Sequence, residues 1–133
     1  GNKDGKASNA FYCLDLEQLS QGWQELPAFP GVPRVQPVSA AQLDADGQLC
    51  FYLWSGFAAP TEERDASLSV DGYVYSPAAN TWTPLPEVMD EVGETVSLSG
   101  GVATAWDKNL IICMGGVDKD IFLRALQKTG SCL

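Results

Sequence analysis

Tyr73-Val74-Tyr75-Ser76-Pro77, Ala78-Ala79-Asn80-Thr81 and Trp82-Thr83-Pro84-Leu85-Pro86 read in succession as strand, turn and strand. Aromatic and β-branched residues favour the pleated, half-buried surface of a sheet, while Pro, Ala and Asn between them favour a reversal. The same grammar occurs about 60 residues earlier, in Phe11-Tyr12-Cys13-Leu14-Asp15, a short polar connection and Trp23-Gln24-Glu25-Leu26-Pro27. A second unit also recurs. Leu49-Cys50-Phe51-Tyr52-Leu53-Trp54 ends at Ser55-Gly56, and Leu110-Ile111-Ile112-Cys113-Met114 ends at Gly115-Gly116. Each follows a small-residue strand and an acidic turn: Val38 to Ala41 with Asp44 to Gly47, then Val102 to Ala105 with Asp107 to Asn109.

These pieces order themselves as a four-strand cycle. A small-residue strand leads to an apolar strand closed by a glycine pair, then a loop, a Tyr-rich strand, and a strand begun by Trp and closed by Leu-Pro. The cycle resembles the Kelch repeat, in which four antiparallel strands make one propeller blade. The fold expected is therefore all-β, a Kelch-type β-propeller fragment of about two blades. Residues 9–30 supply the second half of one blade, 35–86 a complete blade, and 95–116 the first half of the next. Glycine at the strand end lets the backbone take positive φ near the crowded axis. Trp23 and Trp82 are expected to fill the wedge between adjacent blades. Pro27, Pro30, Pro33, Pro84 and Pro86 fall on or beside an outer strand, where a missing ladder donor is tolerated.

Propellers close with about four to eight blades, so two readings stand: a piece of a longer, six-bladed protein, or a chain completed by self-assembly. The half blades at the two ends are complementary, so a head-to-tail ring of two or three copies is conceivable. Beyond Gly116 the pattern changes, and 117–128 is expected to form a short helix with Ile121, Phe122, Ala125 and Leu126 on one face. Thr129 to Leu133 reads as a frayed end, and the polar opening Gly1 to Gly5, without a signal peptide, as a loop or a trimmed start.

Composition narrows function. Apolar residues make up 45% and charged residues 19%, which is globular. A net charge of −9, with only 8 Lys and Arg, offers no basic stripe for a phosphate backbone or an anionic membrane surface. Nucleic acid and membrane are not expected partners; an anionic small molecule needs only one or two well-placed arginines. The apolar runs fall far short of the ~20 residues of a membrane helix. Cys13, Cys50, Cys113 and Cys132 lack a C-x-x-C element and read as free thiols, three of them within strands. The chain has no histidine, which removes Ser-His-Asp and Cys-His catalysis and most catalytic zinc sites. No metal and no cofactor is expected. Any chemistry must rest on carboxylates, arginine, lysine, tyrosine or backbone dipoles.

Three charged segments recur at equivalent blade ends: the turn Arg34-Val35-Gln36, the loop Ala58 to Asp65 with Glu62, Glu63 and Arg64, and Asp90 to Thr95 with Glu94. Gly22-Trp23-Gln24-Glu25-Leu26-Pro27, Pro33-Arg34-Val35-Gln36-Pro37, Asp71-Gly72-Tyr73-Val74-Tyr75, Ser97-Leu98-Ser99-Gly100-Gly101 and Gly115-Gly116-Val117-Asp118-Lys119-Asp120-Ile121-Phe122 together resemble the bacterial sialic acid mutarotase (N-acetylneuraminate epimerase) group, cyclically permuted branch. The resemblance implies a six-bladed, exported, periplasmic or secreted bacterial enzyme that interconverts anomers of sialic acid, a sugar acid. It makes Arg64 the substrate-binding arginine of the loop after a second strand, with Arg34 a further candidate. It also implies a glutamate directly after the strand-ending glycine, where this chain has Phe57; Glu62 or Glu63 could substitute as the catalytic carboxylate, with Glu94 a more distant candidate. A carboxylate can move the protons of mutarotation without histidine, and an arginine can grip a sugar carboxylate by a bidentate pair. Two other readings remain: a non-catalytic Kelch module that binds a glycan or protein, and a truncated copy without function of its own.

Overall fold

The computed structural model of the chain describes residues 2–117 and 119–129. A short hairpin, β1 (Asn2–Lys3) and β2 (Lys6–Ala7), turns at Asp4-Gly5, both at positive φ (53° and 74°), as a primed two-residue turn demands. Next come β3 (Phe11–Leu14), a single 3₁₀ turn at Leu19–Gln21, and β4 (Trp23–Leu26), which pairs antiparallel with β3. The central sheet is a four-stranded antiparallel meander of β5 (Val38–Leu43), β6 (Leu49–Ala58), β7 (Ser67–Ser76) and β8 (Thr81–Leu85), in that spatial order. A third pair, β9 (Val102–Trp106) with β10 (Leu110–Met114), is followed by α1 (Lys119–Thr129). The chain is thus a partial Kelch-type propeller: two strands, four strands, two strands.

The sheets stack through aromatic rings. Phe11 of β3 lies 5.4 Å from Phe51, 4.9 Å from Tyr75 and 5.0 Å from Trp82 of the four-stranded sheet, between ring centroids. The Trp82 indole N–H reaches back to the Pro27 carbonyl at 2.8 Å, fixing the second blade on the first. On the other face Gln42, almost fully buried, donates its amide to the carbonyls of Leu110 (2.7 Å) and Trp106 (3.2 Å) and ties the third unit to the second. Trp82 therefore occupies the wedge expected of it. Trp23, by contrast, is 69% exposed.

The glycine pairs behave alike despite differing in sequence. Ser55 and Gly56 have φ of 59° and 117°; Gly115 and Gly116 have 80° and 110°. Upstream, Gln36 (φ 54°) and Gly100 (φ 75°) also match. In both units the residue after the pair donates its N–H to the same upstream position: Phe57 to Val35 at 2.7 Å, Val117 to Ser99 at 3.1 Å. A serine at positive φ needs support, and Ser55 has it, since its hydroxyl accepts the Leu98 N–H at 2.8 Å. Ser55 is fully buried. Ser55→Ala should therefore cost about 1–3 kcal/mol, by leaving the Leu98 N–H without a partner while keeping the strained backbone. Ser55→Gly should cost less, since it loses the bond but relieves the strain. Urea unfolding of both variants measures the difference.

The strand expected to stop at Ser55-Gly56 instead runs on to Ala58. A register shift between Trp54 and Gly56 bulges the strand, after which Phe57 and Ala58 pair again with Leu68 and Ser67. The loop that follows is shorter than its sequence implied. Cys13, Cys50 and Cys113 are free thiols, and burial, with the nearby Asp44 carboxylate, pushes the Cys50 thiol up. Cys132 and the tail from 130 lie outside the described residues, as do Asp118 and the side chains of Phe122, Ala125 and Leu126; Ile121 is exposed.

Candidate functional site

The glycine-pair end of the blades gathers the charged segments picked out in the sequence. Arg34 leads into the stretch whose Val35 bridges to Phe57, and the Gln36 carbonyl accepts the Gly100 N–H at 3.1 Å. From the neighbouring unit, the Ser99 hydroxyl accepts the Gly56 N–H at 2.8 Å, lies 2.6 Å from the Ser97 hydroxyl, and Ser97 reaches the Ser69 carbonyl at 3.0 Å. These serines lock the start of one blade to the bulge of the one before. Between them opens a crevice of about 470 Å³ lined by Leu68, Val70, Thr95, Val96, Ser97 and Gly115 to Val117. The Arg64 loop leads into one wall and the Asp90–Glu94 turn into the other.

Arg34 was expected to face a ligand from a turn. It is instead only 2% exposed, and its guanidinium is taken up within the chain. Nη1 and Nη2 grip the two carboxylate oxygens of Asp71 at 2.7 and 3.1 Å, Nη1 also reaches the Ser55 carbonyl at 3.2 Å, and Nε donates to the Val32 carbonyl at 2.9 Å. The cation lies 5.1 Å from the Phe29 ring centroid. A buried guanidinium requires this degree of pairing. Burial would push the Asp71 carboxyl up, but the Arg34 fork, the Tyr73 hydroxyl at 2.7 Å and the Arg34 charge together hold it below the usual carboxylate range. Tyr73 moves the opposite way, raised by burial and by Asp71. Asp71 carries a sequence signal that went unused: an acidic residue directly before Gly72 within a strand otherwise built to be covered must find a cation.

Arg64 differs. It is half-buried, one Nη donates to the Ala59 carbonyl at 3.1 Å, and its buried Nε has no hydrogen-bond partner. Thr61 and Arg64 close a tight turn, Thr61 N–H to the Arg64 carbonyl at 2.7 Å, which puts Glu62 and Glu63 at its exposed tip. Glu94 ends a five-residue turn organised by Asp90, whose carboxylate accepts the N–H groups of Val92 and Glu94 at 3.0 and 2.9 Å. Asp44 organises an identical turn ending at Gln48, and the Gln48 N–H above all holds its carboxyl down. Among the described residues no hydrogen bond or ion pair joins Glu62, Glu63 or Glu94 to either arginine. Phe57 is 2% exposed, packed inside the bulge.

A sequence model of the family described as N-acetylneuraminate epimerase matches residues 4–132. The chain belongs to the N-acetylneuraminate epimerase family. It is 42% identical over 82 residues to the N-acetylneuraminate epimerase of Haemophilus influenzae strain PittEE, an overlap of 62% of this chain and 20% of that protein. With the N-acetylneuraminate epimerase of Salmonella enteritidis PT4 it shares 28% identity over 118 residues, covering 89% of this chain and 28% of that one. The solved structure of YjhT superposes on 98% of this chain with a TM-score of 0.68 and 26% identity, and this chain covers 35% of it. The chain therefore spans between a fifth and about a third of the length of these proteins, and the two named epimerases are bacterial.

Proposed function

We propose that this chain supplies part of the active site of a propeller that interconverts the anomers of N-acetylneuraminate, in the periplasm or outside the cell. The observation that carries the reading is Arg64, a half-buried arginine whose Nε is buried without a partner, on the loop leading to a crevice at the glycine-pair end. A bound sugar carboxylate would supply the missing acceptor, and two-point recognition of a planar carboxylate is what a guanidinium does best.

The reaction asks little more. A carboxylate takes the proton of the anomeric hydroxyl, the bond from the anomeric carbon to the ring oxygen breaks, and an acid delivers a proton to that oxygen. Reclosure on the opposite face reverses both transfers. Glu62 and Glu63, at the tip of the turn closed by Arg64, are the proposed proton carriers, with Glu94 as an alternative from across the crevice. Arg34 is assigned a positioning role, since through the Ser55 carbonyl it holds the bulge from which the Arg64 loop departs.

Exchange between the two anomers of N-acetylneuraminate, followed by NMR line broadening, should exceed the buffer rate in the presence of the protein. Arg64→Met should lower that acceleration about tenfold or more, the worth of one charge-assisted contact. Buried Phe57, where family resemblance places a glutamate, favours a second reading in which the sugar is bound but not converted. Saturable shifts of the sugar resonances at the buffer exchange rate would select that reading; absence of both effects would overturn the two together.

A further inference from the structure

The hydroxyls of Ser97 and Ser99 form a directed chain whose two ends fall on the two arms of the hairpin that carries Arg64. The direction is forced. A carbonyl can only accept, so Ser97 donates its single hydroxyl proton to Ser69 at 3.0 Å. At the 2.6 Å contact between the two serines, Ser97 must then accept and Ser99 donate. That leaves the lone pairs of Ser99 for the Gly56 N–H, which can only donate, at 2.8 Å. Each hydroxyl proton is used once, and every link fits the next. Gly56 on β6 and Ser69 on β7 face each other in the ladder, with Phe57↔Leu68 and Ala58↔Ser67 between them and the loop. The relay thus reaches both arms at one level, from the neighbouring blade.

From this placement we propose that Ser97 and Ser99 are positioning residues for Arg64, holding the hairpin at the angle that keeps its guanidinium in place. The repeat itself does not call for hydroxyls at these positions. Ser99 matches Val35, since the carbonyl of each accepts the N–H that follows the glycine pair, and Ser97 then matches Pro33. Neither Pro33 nor Val35 carries a hydroxyl, so the relay is particular to the junction from which the Arg64 loop hangs. The two arms are also held differently. The β6 arm is fixed within its own blade by reciprocal bonds between Phe57 and Val35, at 2.7 and 2.9 Å. The β7 arm, which begins at Ser67, three residues after Arg64, is held across the blades through the Ser69 carbonyl. Arg64 adds one bond, to the Ala59 carbonyl, and its Nε is kept in place by packing. Polarised links reinforce one another, so a break in either hydroxyl weakens the whole relay. The relay stands on geometry alone; its consequence for a bound sugar acid rests on the function proposed for Arg64.

Proton–nitrogen correlation spectra of the whole chain, which has three arginines, read the Arg64 Nε–H directly. Burial without a bond protects that proton, whereas Arg34 Nε is bonded to the Val32 carbonyl and serves as the internal control. Ser97→Ala should shift the Arg64 signal and speed its solvent exchange about fivefold or more, with the Arg34 signal unchanged. Ser97→Thr, which keeps the hydroxyl, should restore the natural signal. Ser99→Ala should act as Ser97→Ala does, and the double variant no more strongly than the larger single, because one break opens the relay. Ser99 is buried and Ser97 only half-buried, so Ser97→Ala decides the matter if Ser99→Ala does not fold. In titrations with N-acetylneuraminate, Ser97→Ala should raise the half-saturating concentration about five- to tenfold and leave the anomer exchange rate at saturation unchanged, a split that general loss of stability would not produce. An Arg64 signal untouched by Ser97→Ala, or an Arg34 signal moved equally, overturns the proposal. A natural protein without effect on the sugar overturns the proposed reaction instead, and the Arg64 signal still decides the relay.

Discussion

Asp71→Asn should cost this protein about 2–4 kcal/mol of folding free energy, one of the two largest single-residue effects expected in the chain. Among the described residues the Asp71 carboxylate is the one anion paired with Arg34, whose side chain is 1% exposed against 36% for Asp71. Removing the anion strands a cation in a site it cannot leave; the carbonyls of Val32 and Ser55 remain but carry only partial charge. The reverse deletion is milder. In Arg34→Met the freed carboxylate can hydrate, and a flexible apolar chain fills the space against Phe29. The double variant should accordingly be more stable than Asp71→Asn alone, an outcome that additive costs would forbid. Chemical denaturation of the three variants closes the cycle.

The same pair fixes a pH dependence. Asp71 is held below its ordinary range by Arg34 and Tyr73 despite the opposing effect of burial. A carboxyl depressed in the folded state binds its proton later than in the unfolded chain. Its contribution is therefore complete above the unfolded value, about 3.9, and is lost as pH falls through the lower folded value. The stability gap between the natural protein and Asp71→Asn should stay constant from pH 8 to 5 and narrow below about pH 4. A gap that widened on acidification would reverse the sign and remove the ion pair as its cause.

What could be read from the sequence divides along the range of the interactions. The strand pairs around Trp23 and Trp82 are written locally, in alternating aromatics and turn residues a few positions apart, so they are legible without a structure. So are the acidic turns at Asp44 and Asp107, which a few neighbouring residues specify. The site was only partly legible. Arg34, flanked by Pro33 and Pro37, has the look of an exposed turn; its burial depends on Asp71, 37 residues later, and on a ring from Phe29. The bulge was hidden for the same reason, since Ser55 holds a glycine conformation only through Leu98, 43 residues away. Arg64 was legible as a residue, whereas its unpartnered Nε is a property of packing that no spacing encodes.

Gly56→Ala should match or exceed the loss at Asp71, at about 3–4 kcal/mol, and it isolates what the strand-end glycine does. Gly56 has φ of 117°, a region that L-residues enter only under strain, and a Cβ there would lie 2.9 Å from Cδ of Arg34 and 3.0 Å from the Val35 carbonyl oxygen. The two penalties cannot be relieved separately. Turning the backbone back to negative φ would undo the bulge that lets Phe57 bond Val35, and moving Arg34 aside would break its fork on Asp71. Gly47 provides the control. Its φ of 75° is also positive, but a Cβ there meets nothing within 4 Å, so Gly47→Ala should cost only about 1 kcal/mol, for conformation alone. The difference between the two variants measures how closely the chain passes the buried arginine at the blade end. Equal losses would mean that the glycine serves the backbone angle only; a larger loss at Gly56, accompanied by release of the Arg34 ion pair in the pH profile, would tie the glycine pair directly to the geometry from which the Arg64 loop is hung.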